Sequence, residues 1–379
     1  MKRLLLFLCL LIIFGLTIIV GCTQSISVSI PTTTIATTTT TSTTTTTTTT
    51  IATTTTTTTT GASTTTTTNP NLGATWTEAT ADAYSGGLGR YGHSSVVFDS
   101  KMWVIGGRDI VGDEGVTFTS EAWYSSEGEF WTLATPSLPF FSSYSDLVVL
   151  DNQLYAIAVQ SEFGSDYGND VYRSSNGEDW VKIFDGGELG GAFNPMYGLR
   201  AVVFNNKIWV IGGFFSGAGG VAINQIWSSA DGASWTEERN ADFSGRYNFG
   251  AVVFDEKIWV IGGYGNDDVL LNDVWYSADG ANWTEATTEA GFSPRQLHST
   301  VVQDGKIWVI GGDEISTEAY GKVDDVWSSP DGISWTQVAT GAEFGRRAGH
   351  SSVSFNGKLW VINGYFDNGQ GRSDVWSSP

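Results

Sequence analysis

Three histidines, His93, His298 and His350, each stand three residues after an arginine: Arg90, Arg295 and Arg347. Three imidazoles are enough to hold a catalytic zinc, so metal chemistry is the first possibility to weigh. Register argues against it. The three occupy one position of an internal repeat, and the other copies hold Ser145, Leu199 and Phe249 there. A hydrogen-bonding, structural role is expected, with no metal. Asp146 and Arg200 replace Ser94 at the next repeat position in neighbouring copies. They could bind a polar ligand, but an ion pair between them is favoured. A third set follows the repeated Gly-Gly: Arg108, Phe214, Phe215, Tyr264, Asp313, Glu314, Tyr365 and Arg372. Acidic and aromatic side chains around a concave face suit carbohydrate or peptide binding. No P-loop, His-Glu-x-x-His or Gly-x-Ser-x-Gly motif is present, and no cofactor is expected. The only cysteines, Cys9 and Cys22, lie in the first 22 residues, so the rest has no thiol chemistry or disulfide.

These candidates are carried by a unit of about 50 residues, clearest in Lys257–Ala286. Its apolar strand recurs around Trp103, Tyr155, Trp209, Trp259, Trp308 and Trp360, at spacings of 52, 54, 50, 49 and 52. Each copy reads as four short strands, a to d. Strand a is a valine-rich run such as Gly250–Phe254, and strand b is Lys257–Ile261, ended by Gly262-Gly263. Strand c holds Trp275, and Asp279-Gly280 is a two-residue hairpin signal before strand d with Trp283. The sixteen tryptophans fall into register on strands b, c and d. A residue that recurs once per copy is expected to pack the copies together rather than to bind sugar. The d–a and b–c loops share one face, where function is expected.

An Arg-x-x-His opening (Arg90–His93), the Trp-Val-Ile-Gly-Gly strand and a later tryptophan together resemble the kelch family, over the whole chain from Ala74 to Pro379. The resemblance implies an all-β, six-bladed kelch-type β-propeller of four antiparallel strands per blade, within the galactose oxidase central-domain-like superfamily, over residues 72–379. The last copy stops at Trp376–Pro379, and its missing strand matches the chain start. Residues 74–79 are therefore expected to form the outer strand of the sixth blade and close the ring. The copper site of galactose oxidase needs a cross-linked cysteine, which this region lacks. Ser-x-Asp-Gly-x-x-Trp runs such as Ser229–Trp235 look like shortened sialidase Asp-boxes, which are structural turns.

Ahead of this region, Lys2 and Arg3 precede an apolar run from Leu4 to Val20, the pattern of an export signal. Ile19-Val20-Gly21-Cys22 resembles a bacterial lipobox, which implies a signal peptide over residues 1–21, a lipid on Cys22 and an exported, membrane-anchored protein. Residues 22–71 are dominated by threonine and read as a disordered stalk, glycosylated or bare. Its extended reach is on the order of 100 Å. Forty acidic against nineteen basic residues give a net charge of −21, which argues against nucleic acid and anionic lipid surfaces. The expected product is a monomeric domain that binds a protein or a glycan; the competing expectation is a sugar epimerase or lyase on the same scaffold.

Overall fold

A two-residue turn with both residues at positive φ joins strands a and b in every copy. The pairs are Asp99-Ser100, Asp151-Asn152, Asn205-Asn206, Asp255-Glu256, Asp304-Gly305 and Asn356-Gly357, with φ between 48° and 73°. Asn, Asp and Gly tolerate this region best, and two such residues in succession match the twist of antiparallel strands. In the computed structural model these turns organise residues 69–84, 89–110, 115–159, 170–186, 196–215, 219–316, 319–366 and 369–379, which are the residues described. The signal segment, Cys22 and the threonine tract through residue 68 lie outside them.

The described residues contain strands and no helix. The first sheet orders Ser94–Phe98, Lys101–Ile105, Ala122–Ser125 and Thr132–Thr135. The second orders Asp146–Leu150, Gln153–Val159, Asp170–Ser174 and Val181–Phe184 in the same way. The third, fourth and fifth repeat the pattern around the long strands Lys207–Phe215, Lys257–Gly265 and Lys306–Ser316. The sixth takes Ser351–Phe355, Lys358–Tyr365 and Gly371–Ser378, and its fourth strand is Thr77–Thr80 from the chain start. That strand pairs antiparallel, Thr77 opposite Ser377 and Glu78 opposite Trp376. A small sheet of Gly89–Tyr91, Arg108–Ile110 and Val116–Phe118 extends the first.

Two turn assignments differ from the sequence reading. Gly262-Gly263 does not end strand b. The strand bulges between Ile261 and Gly263, where Gly262 and Gly263 take φ of 55° and 109°, and continues to Gly265. The Asp279-Gly280 connection is also longer than two residues, with only Gly280 at positive φ. Ser277 Oγ accepts the Gly280 N–H at 2.8 Å, and Asp279 Oδ1 accepts the N–H groups of Ala281 and Asn282 at 2.9 and 2.8 Å. Side chains replace the hairpin ladder here.

Strand b is apolar throughout because both its faces are covered. Ile258, Val260 and Ile261 have no exposed surface, and Trp259 has 3%. Hydrophobic clusters lie between consecutive sheets, and one of them packs Val353, Trp360 and Ile362 of the sixth against Met102 and Val104 of the first. The tryptophans divide the structural work. Strand-b indoles donate to the a–b turn, as Trp103 does to the Phe98 carbonyl at 3.1 Å. Strand-d indoles other than Trp283 donate to the turn glycine, as Trp235 does to Gly232 at 3.0 Å.

Each turn glycine in turn sits against the strand-b aromatic of the preceding sheet. A Cβ on Gly128, Gly177, Gly280 or Gly332 would come within 2.0–2.4 Å of Trp360, Trp103, Trp209 or Trp259. Gly73, near the chain start, takes the equivalent seat on Trp308, where a Cβ would approach to 2.3 Å. Its N–H donates to Ser378 Oγ at 2.6 Å, just as Gly280 donates to Ser277. The two chain ends thus build one turn.

Candidate functional site

In five of the six sheets the d–a segment folds back beside the b–c hairpin, which sets register between them. Tyr91 pairs with Arg108, Tyr197 with Phe214, Tyr247 with Tyr264, and Gln296 with Asp313, while an isolated bridge joins Ala348 to Tyr365. Five of the residues singled out in the sequence, Arg108, Phe214, Tyr264, Asp313 and Tyr365, therefore hold one structural position and share one face. The structure adds partners that the sequence reading missed: Tyr91, Tyr144, Tyr197, Tyr247, Asn248 and Gln296. The signal was available, since Tyr91, Tyr197 and Tyr247 each follow the position of the repeat arginine.

Just beneath these side chains, six residues are linked head to tail by backbone hydrogen bonds. Gly92 donates to Gly349, Gly349 to Leu297, Leu297 to Asn248, Asn248 to Gly198, Gly198 to Tyr144 and Tyr144 back to Gly92, at 2.8–3.0 Å. All six have positive φ.

Aromatic rings gather above this cycle in two groups. Tyr91 lies 4.9 Å from Tyr365 and 6.3 Å from Tyr144. The Arg108 guanidinium stands 5.2 Å from the Tyr144 ring and 4.7 Å from Phe118, while its Nε donates to Ser143 Oγ at 2.9 Å. In the other group Tyr197, Phe214, Tyr247 and Tyr264 form a run with centroids 4.9–5.8 Å apart. Tyr264 donates to Asp268 at 2.8 Å. Between the groups, Asn248 Nδ2 donates to Gln296 Oε1 at 3.1 Å, and Lys322 Nζ sits 3.7 Å from Asp313 and 4.9 Å from the Tyr365 ring. Burial raises the pKa of Tyr144 and of Tyr365 above the usual phenol value. Both stay protonated, as hydrogen-bond donors, at any ordinary pH.

The remaining candidates are placed differently. Asp146 and Arg200 sit at the start of their innermost strands and make no ion pair within 4 Å. Instead the Asp146 carboxylate accepts the N–H groups of Leu147 and Ala201, both at 2.9 Å, and so ties the second sheet to the third. Burial raises its pKa, opposed by Arg200 and by these two donors. The expected ion pair gives way because backbone donors of fixed geometry already satisfy the carboxylate. Phe215 and Glu314 lie one step further out, opposite Met196 and Arg295. Arg372 is exposed and stacks on Phe366 at 4.1 Å.

The histidines and arginines are joints. His93 Nε2 shares a hydrogen bond with Ser351 at 2.8 Å, and His350 with Ser299 at 2.9 Å, each crossing to the preceding sheet. His298 faces Gly250, the copy without a hydroxyl. Burial, with Arg90 or Arg347 nearby, lowers the pKa of His93 and of His350 to about 3. Folded, these imidazoles are neutral; unfolded, they bind a proton near pH 6.5. The unfolded state therefore holds more protons between those values, and stability should fall as pH drops through that window. Each histidine contributes a slope of up to about 1.4 kcal/mol per pH unit. In denaturant titrations from pH 7 to 4, the stability gap between the wild type and His350→Gln is expected to narrow. A constant gap would contradict the assignment.

Among known proteins, residues 198–378 match the family model of the KLHDC2/KLHL20/DRC7 Kelch-repeats domain. A solved structure titled "Structure of YjhT" resembles the chain with a TM-score of 0.62 and 14% identity, covering 78% of this chain and 96% of that one. At that identity the likeness speaks to fold alone. No curated protein matches. Antiparallel sheets of one recurring strand order, the repeat match and the structural likeness agree: residues 198–378 carry kelch repeats, and the fold is that of a β-propeller.

Proposed function

We propose that this protein is an exported lipoprotein, anchored through Cys22, that presents a six-bladed, closed propeller on its threonine stalk as a carbohydrate-binding module. The six sheets of one strand order, the hydrogen-bonded cycle and the Thr77–Thr80 pairing support the closed ring. The observation that carries the binding function is the phenol-lined face, with Tyr91, Tyr144, Tyr197, Tyr247, Tyr264 and Tyr365 beside the Asn248–Gln296 amide pair. Aromatic faces stack on the C–H faces of sugar rings, and phenols and amides exchange hydrogen bonds with sugar hydroxyls. A sugar epimerase or lyase would need an acid–base pair near neutrality; Tyr144 and Tyr365, which burial holds protonated, suit gripping hydroxyls better than moving protons.

Titrating the domain with cello-, xylo-, malto- and chito-oligosaccharides, and following each sugar by NMR over hours, tests the reading. Saturable binding with an unchanged sugar is expected. Turnover that Asp146→Ala abolishes would establish the enzyme instead, and binding of none of the sugars would remove the carbohydrate reading. Loss of fatty-acid labelling in Cys22→Ala is the corresponding expectation for the anchor.

A further inference from the structure

Among the six residues of the backbone cycle, Tyr144 is out of character. Gly92, Gly198 and Gly349 carry no side chain to clash at positive φ, and Asn248 belongs to a residue type that tolerates it. Leu297, at φ 53°, is repaid by burial, with 8% exposure. Tyr144 has φ 56° and is half-buried, its side chain larger than any other in the cycle. A bulky side chain in this region is strained, and such strain gathers where function holds it.

Its surroundings suggest what the strain achieves. Tyr144 belongs to the second sheet, yet its ring lies over Gly92 of the first, where a Cβ would approach to 3.2 Å. Its ring meets Tyr91 of the same neighbour and lies beneath Arg108. Tyr197 from the third sheet, Asp313 from the fifth and Tyr365 from the sixth are within electrostatic reach of its phenol. Its backbone is a member of the cycle and its ring lies over another member, Gly92, so the phenol is carried inward over the cycle. Among the described residues nothing accepts a hydrogen bond from its hydroxyl, whereas Tyr264 donates to Asp268 and Tyr172 to the Pro139 carbonyl.

We infer that Tyr144 is the specificity-determining residue of the face, held in a left-handed backbone conformation so that its phenol donates a hydrogen bond to a hydroxyl of the bound sugar at the centre of the cycle. This rests on the reading that the face binds a carbohydrate. It also assigns the binding geometry: the ligand meets a central donor, flanked by Tyr91 and Tyr365 on one side and the Asn248–Gln296 pair on the other.

Two variants test it against the same oligosaccharide panel, with thermal melting in parallel. Tyr144→Phe removes only the hydroxyl, and about tenfold weaker binding is expected with no change in Tm. Tyr144→Gly restores the residue that three other copies use. It is expected to abolish measurable binding while Tm stays within about 2 °C of the wild type or rises, because relief of strain offsets the added chain entropy. Wild-type affinity in both variants would overturn the assignment and leave the face itself intact. A Tm fall of more than about 5 °C in Tyr144→Gly would overturn it too, making the residue packing. Failure of the wild type to bind any member of the panel would overturn the underlying carbohydrate reading.

Discussion

A domain that begins at Ala81 instead of Asn69 is expected to be largely unfolded, or to melt far below the longer form. The lost segment carries Leu72 and Trp76, which are 3% and 4% exposed, and Trp76 packs edge-on against Phe344 at 5.0 Å. Its indole donates to Gly73 at 3.1 Å, and its backbone N–H donates to Glu343 at 3.0 Å. Without it, Trp308 and Phe344 lose their covers and Gly371–Ser378 becomes an open sheet edge. Removing one buried tryptophan side chain costs about 3–5 kcal/mol. The whole of a domain's stability is on the order of 5–15 kcal/mol. Trp76→Ala alone should therefore be severe. A circular permutant supplies the opposite test. Joining Pro379 directly to Leu72 would make Ser378-Pro379-Leu72-Gly73, the same layout as Ser329-Pro330-Asp331-Gly332. Opened instead at the Asn205-Asn206 turn, that chain is expected to fold and to melt no lower than the native order. A truncated domain with an unchanged Tm would show that the terminal strand is decoration.

The second large effect is expected at the buried arginines. Arg246, Arg295 and Arg347 have no exposed side-chain surface, and each grips an aspartate of strand c with two nitrogens. For Arg295 the contacts to Asp325 are 2.6 and 2.9 Å, with a third bond to the Gly311 carbonyl at 2.9 Å. Trp327 donates to the same carboxylate at 2.7 Å. Arg295→Met strands that carboxylate in a largely dry site and is expected to destabilise by about 3–5 kcal/mol in chemical denaturation. The third sheet shows how to repair it, because it holds Met196 and Gln225 at the matching positions. Adding Asp325→Gln to Arg295→Met is therefore expected to recover most of the loss. If the double variant is no better than the single one, the penalty does not come from an uncompensated charge.

The repeat was readable because its residues recur for packing reasons that leave a period: tryptophan on strand b, glycine in the c–d turn, arginine before strand a. The turns were less so. Gly262-Gly263 and Asp279-Gly280 look like punctuation, but positive φ serves a bulge in the first and a side-chain-bonded loop in the second. The a–b turns, which do have the two-residue geometry, hide in pairs as ordinary as Asp255-Glu256. At the candidate site, the residues that differ from copy to copy after the Gly-Gly pair come together on one face, because the b–c hairpins of successive sheets share it. Tyr91, Tyr197 and Tyr247 are masked in the sequence because they follow the scaffold position held by Arg90, Met196 and Arg246. Tyr144 has no sequence signal at all; its role depends on a backbone angle and on neighbours from four other sheets.

The separation of scaffold from binding face is the claim most exposed to experiment. Carbon-13 labelling of tyrosine rings reads both at once, since Tyr91, Tyr144, Tyr197, Tyr247, Tyr264 and Tyr365 lie on the face while Tyr124, Tyr155, Tyr172 and Tyr276 pack within the sheets. On titration with the oligosaccharide that binds best, resonances of the face tyrosines are expected to shift together and saturate at one affinity, with the scaffold tyrosines unmoved. Shifts confined to the scaffold rings, or none in the face group despite binding, would contradict the account.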